Sequence, residues 1–166
     1  RRIVGKAKER VSSDTIVGDP TGSPGGAFLT VRANGGTPGA QTFALPQGTS
    51  PGTGRPYWSG NATKGFAYSD PRSENGPIKV VNIKKSSGRT FLITAIASGR
   101  YLPITVLPPD PGTDGCLLLE LTDGDSYSIR FGPLDGTIAN KGPAQYSHKA
   151  PTLEGTCLPP TTTTTT

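Results

Sequence analysis

Residues 78–97 read IKVVNIKKSSGRTFLITAIA, and the fold class turns on this stretch. Two runs rich in Ile, Val, Thr and Phe, Ile78 to Lys85 and Arg89 to Ala97, flank Ser86-Ser87-Gly88. β-Branched and aromatic residues suit a pleated, half-buried surface, and a short Ser/Gly break between two such runs marks a β-hairpin. The first run alternates apolar and polar positions, the period of a strand with one face buried. Ile78, Val80 and Ile83 do not all share one face, which predicts a bulge near Val81-Asn82.

The same grammar extends outward in both directions. Upstream lie FAYSD (Phe66 to Asp70), QTFAL (Gln41 to Leu45) and a strand from Ala27 to Ala33 that ends in the turn residues Asn34-Gly35-Gly36. Downstream, beyond the connector PITVLPPDPGTDG, come CLLLELTD (Cys116 to Asp123), SYSIRFG (Ser126 to Gly132), GTIANKG and AQYSHKA. The segment PQGTSPGTGRPYWSGNATKG reads as one long loop. Residues 1–13 alternate loosely, with Ile3, Gly5, Ala7 and Val11 on one side and Val4, Lys6, Lys8, Arg10 and Ser12 on the other. A helix there would carry Gly5 in its first turns and no capping residue, so a strand is expected. Nine to eleven short strands with Gly/Pro turns and no helical period predict an all-β fold. The expected architecture is an antiparallel β-sandwich or jelly-roll-like domain with extended N- and C-terminal tails. The expected organisation is a strand-like basic arm (1–13), a β-sandwich domain (14–157) and a Pro/Thr low-complexity tail (158–166).

Composition bounds this reading. The 23 glycines and 17 prolines are about a quarter of 166 residues, close to the disordered range. Against disorder, the apolar residues cluster between the Gly/Pro breaks and charged residues are only 17%. The net charge of +5 concentrates at the start, where Arg1, Arg2, Lys6, Lys8 and Arg10 face Glu9 alone, so the body is near neutral and no nucleic acid partner is expected. There is no methionine and no apolar run of membrane-spanning length. A processed or fragmentary, exported chain without a membrane span is expected. Cys116 and Cys157 are the two cysteines. A disulfide between them would close a loop of about forty residues and stabilise by roughly 4 kcal/mol; two buried thiols are the alternative.

Parts for catalysis are few. The single histidine, His148, stands without a nucleophile or metal motif, so no enzyme and no catalytic residue is expected. Asp114, Asp123 and Asp125 lie beside glycines and Asp110 between two prolines, which makes turns; the same spacing offers oxygen ligands to calcium, the one cofactor considered. Arg55, Tyr57 and Trp58 in RPYWSG form the candidate ligand contact, able to stack on a sugar, although the lone Trp of a small β-domain more often fills the core. Asn61-Ala62-Thr63 is an N-glycosylation acceptor motif, and Thr161, Thr162, Thr163, Thr164, Thr165 and Thr166 after Pro159-Pro160 read as an O-glycosylated stalk or a plain linker.

The stretches RRIVGKAKER, GDPTGSPGGAFLTVRANGG, GFAYSDPRSENGPIKVVNIK and GDSYSIRFG with GTIANKG resemble a module of secreted and cell-surface bacterial proteins, over roughly residues 1–150. That resemblance implies export and a β-sandwich, with no activity attached. In architecture the chain is similar to fibre subunits of the donor-strand type, whose terminal strand completes the sheet of the next subunit. The expectation is thus a structural subunit of an extracellular filament or surface assembly. Identical subunits would be its partners, Ile3, Val4, Ala7 and Val11 would make the subunit-contact arm, and glycans would be carried covalently. The alternative is a carbohydrate-binding or adhesive module built on the Tyr57/Trp58 loop.

Overall fold

The computed structural model describes residues 2–35, 39–99, 103–106, 112–131, 139–140 and 146–147. Among them are eleven strands and no helix. The strands are β1 (Arg2–Glu9), β2 (Ala27–Gly35), β3 (Gly39–Leu45), β4 (Trp58–Asn61), β5 (Gly65–Ser69), β6 (Ile78–Lys85), β7 (Phe91–Ser98), β8 (Gly112–Leu121), β9 (Ser126–Phe131), β10 (Ala139–Asn140) and β11 (Tyr146–Ser147). The chain is all-β, with two antiparallel sheets as in a β-sandwich. One has the order β1-β7-β6-β5-β4 and the other β3-β2-β8-β9, while β10 and β11 pair as a short ribbon.

The deciding hairpin is β6–β7. Its register runs from Lys85 opposite Phe91 to Ile78 opposite Ala97. The bulge lies between Ile78 and Val80, not at Val81-Asn82 as the alternation suggested. The reason is steric bookkeeping along the strand: Lys79 takes up the extra residue, so Ile78, Val81 and Ile83 all point inward and are buried, while Val80 and Asn82 point outward. Inward residues of β7 follow strict alternation, with Phe91, Ile93, Ala95 and Ala97 buried. The turn is closed by the Ser86 amide donating to the Thr90 carbonyl at 3.0 Å, and Arg89, not the nearby Gly88, takes the left-handed conformation at φ 59°.

The chain divides into two compact units. The first comprises 1–29, 42–104 and 119–127 and contains the whole five-stranded sheet; the second comprises 30–41, 105–118 and 128–166. In the first unit the inner faces meet around Leu45, Trp58, Phe66, Tyr68, Val81, Ile83 and Leu119, all nearly or wholly buried. Each such side chain contributes roughly 1.5–3 kcal/mol of burial free energy. Phe91 of β7 packs on Tyr127 of β9 with ring centroids 5.4 Å apart. In the second unit Val31, Ala33, Val106, Cys116, Leu117 and Ile129 are buried.

Strand β4 falls inside the segment whose sequence reads as one long loop. Its four residues include only one strong β-former, and the strand exists because Trp58 is anchored below it and because Gly60 and Gly65 permit a tight hairpin at φ 120° and 108°.

Candidate functional site: the terminal edge strand and the aromatic loop

β1 is the first strand of the chain and the edge of its sheet. Eight register pairs join it to β7 of the same chain, from Arg2 opposite Ser98 to Glu9 opposite Phe91. Ile3, Gly5, Ala7 and Glu9 face inward and Arg2, Val4, Lys6 and Lys8 outward, the alternation expected from the sequence. Only Gly5 is fully buried; Ile3 and Ala7 are half-buried, and Val4 is 55% exposed. The strand is therefore held mainly by its backbone ladder, with little side-chain burial beyond Ile3. Val11 falls after the strand and is 72% exposed, so it makes no part of this contact. The ladder ends where the amide of buried Ser12 donates to the Arg89 carbonyl at 2.8 Å.

The aromatic loop lies at the opposite edge. Arg55 is exposed, but Tyr57 and Trp58 are only 5% and 3% exposed. The Trp58 indole donates to the Leu45 carbonyl at 3.0 Å, and Tyr68 packs against both rings, centroids 5.9 Å from Tyr57 and 5.4 Å from Trp58. The expected ligand contact is thereby corrected: these two rings fill the core, because burying them and satisfying the indole N–H outweighs leaving them in water, and no stacking face remains outside. Burial pushes the Tyr68 hydroxyl up to about 12.

A polar clamp closes this loop. Glu74 Oε2 accepts from the Ser50 hydroxyl at 2.6 Å and from the Tyr57 hydroxyl at 3.3 Å, and Oε1 accepts from the Gly52 amide at 3.0 Å. The Ser50 hydroxyl holds the Glu74 carboxyl below its ordinary value, burial opposes it, and the Gly52 amide, the Tyr57 hydroxyl and the Arg72 charge add to the lowering. Beneath it, buried Asp70 accepts from the Glu74 and Asn75 amides at 2.9 and 2.8 Å. Both carboxylates are occupied by donors of their own chain, so they brace the loop. Neither was singled out in the sequence, although DPRSENG carries the Asp-Pro and Asn-Gly signals of such a loop.

No family model, curated protein or solved structure matches this chain. Function must be argued from the residues themselves.

The other expected sites are scattered. Asn61 is exposed at the β4–β5 turn, where its side-chain oxygen accepts from the Thr63 and Lys64 amides at 3.1 and 3.0 Å. Asp125 Oδ2 accepts from the Val17 amide at 2.7 Å and the Tyr127 hydroxyl at 2.9 Å, and Asp123 takes a left-handed turn position. Asp114 accepts from Asn34 at 3.0 Å and pairs with Arg130 at 3.7 Å. Among the described residues no group of three or more His, Cys, Asp or Glu stands together as a metal site, which leaves the calcium expectation without a ligand set there. No helix among them is long and apolar enough to cross a membrane. Cys116 is buried on β8. Cys157, Asp110, His148 and Thr161 to Thr166 lie outside the described residues.

Proposed function

We propose that this chain is a non-enzymatic structural module of an extracellular assembly, joined to identical copies through its N-terminal strand. The observation that carries the reading is β1: an edge strand tied to the sheet by a full backbone ladder, yet contributing little side-chain burial. Backbone pairing does not depend on side-chain identity, so the same ladder serves a strand of the same chain or of a neighbour. Release of β1 exposes the β7 edge, a template for pairing that an assembly would fill and a lone chain would leave open. Export, a Cys116–Cys157 disulfide and glycans on Asn61 and the threonine tail belong to the same proposal; the exposure of Asn61 at a hairpin tip supports the first acceptor.

Deletion of residues 1–13 tests it, with a synthetic peptide of those residues supplied in trans. The expected outcome is regular filaments from the full chain by negative-stain electron microscopy, none from the truncated chain, and capture of the peptide by the truncated chain. Normal filaments from the truncated chain, or a monodisperse full chain at every concentration, would sink the proposal.

A further inference from the structure

The outer face of the five-stranded sheet carries Lys6, Lys8 and Lys84 among neutral residues and no acid. Its cross-strand rows follow from the register. One runs Lys8, Leu92, Lys84, Gly65, Asn61 and the next Lys6, Thr94, Asn82, Ala67, Ser59, from β1 across to β4. Arg2 and Val4 extend the face along β1, and Lys64 stands in the turn beside the first row. No Asp or Glu occurs in either row; the one acid within these five strands, Glu9, faces inward. Lys6, Lys8, Lys64 and Lys84 are exposed, and none of their side-chain ammonium groups makes a hydrogen bond or ion pair among the described residues. By contrast Lys79 is tied to the Pro71 carbonyl and Lys85 to that of Asp14.

The face is not flat. Gly65 and Ala67 leave β5 without bulk between its neighbours, opening a trough of about 410 Å³ whose walls include Lys64, Lys84, Ser59 and Asn82. Gly65 is fixed as glycine, since a Cβ there would fall 1.9 Å from the Ile83 carbonyl oxygen. The trough thus follows from the backbone; its lining is mainly apolar, with Ser59 and Asn82 adding a hydroxyl and an amide. Lys8 and Lys84 lie two strand spacings apart, about 10 Å, which suits charges repeated along an extended chain.

We propose that this face binds a linear anionic polysaccharide, its carboxylates or sulfates meeting the Lys8–Lys84–Lys64 row and its hydroxyls meeting Ser59, Asn82 and Thr94. Charge complementarity selects an anion. Five strands span about 19 Å, wider than the roughly 12 Å major groove of duplex DNA. The aromatic rings of these strands point inward, leaving no platform for bases of a single strand. The proposal does not rest on strand exchange, because a β1 from either source brings Lys6 and Lys8 to the same register.

The test is binding of the full chain to a polyuronate, dextran sulfate, neutral dextran, duplex DNA and phosphatidylserine vesicles, measured at several salt concentrations. Binding to the polyuronate or dextran sulfate is expected, with none to neutral dextran and an affinity that falls with salt. Replacing Lys6, Lys8, Lys64 and Lys84 together with Ser is expected to weaken it roughly tenfold or more. Ala67→Glu, which places a carboxylate in the trough, is expected to weaken it too. Arg55→Glu, a larger change in net charge on the aromatic loop, should leave it within about twofold. Circular dichroism and melting temperature confirm that each variant is folded. No binding to either polyanion, equal loss in Arg55→Glu, an unaffected four-lysine variant, or tighter binding to DNA or vesicles would each overturn the assignment.

Discussion

At the residue scale, the chain spends its polar groups on holding loops. Glu74 is the clearest case. Its carboxyl sits below its ordinary value of 4.5, so folding favours the ionised form. That stabilisation is complete above 4.5 and is lost as pH falls through the lower folded value. The melting-temperature gap between wild type and Glu74→Gln is therefore expected to be widest near neutrality and to close in acid; a gap independent of pH would refute it. Trp58 is the second case. Trp58→Ala removes a buried ring and orphans the Leu45 carbonyl, an expected loss of about 3–5 kcal/mol in urea unfolding. Its fluorescence should be blue-shifted and poorly quenched by iodide in the native chain. The sequence leaves Trp58 two fates, core or ligand contact, and favours the core for a lone Trp; what fixes it there is the Leu45 carbonyl 13 residues away.

At the scale of elements, the strands with strong local chemistry were legible and the weak one was not. Ile78–Lys85 is marked as a strand by β-branched residues and alternation, and Ile3, Gly5 and Ala7 share a side by spacing alone. β4 carries Ser, Gly and Asn, which favour turns, so its strand state comes from pairing with β5 and from Trp58 below. The bulge falls between Ile78 and Val80, earlier than the alternation suggests, because pairing with β7 decides which residue of 78–83 drops out of register. The outer cationic rows were hidden for a related reason: Lys8 and Lys84 meet on one face only after two strands have paired. Glycine substitutions separate conformational strain from crowding. Gly54→Ala at φ 66° meets nothing within 4 Å and should cost about 1–2 kcal/mol. Gly65→Ala adds the clash with the Ile83 carbonyl and should cost several kcal/mol, roughly 2–4 or enough to undo the β4–β5 hairpin. Equal losses in chemical denaturation would show that the clash is relieved by a small shift.

At the scale of the whole molecule, the all-β class follows from composition and spacing together: Gly and Pro are frequent, yet they fall between strands. The proposed Cys116–Cys157 bond would tie β8 to the C-terminal segment. Alkylation in denaturant without reductant is then expected to add nothing, and alkylation after reduction to add two adducts by intact mass. Two adducts without reduction would leave the chain stabilised by packing alone.

The five-stranded sheet has two unlike margins. One is the eight-residue strand β1, the other a four-residue strand folded back at Asn61. In the proposed assembly the first is the strand handed on. In an assembly joined through it, every joint has the same sense, so a row of copies has a leading and a trailing end. A copy lacking residues 1–13 would accept a strand and pass none along, acting as a terminator: mixed in at a small fraction, it should shorten such rows without dissolving them.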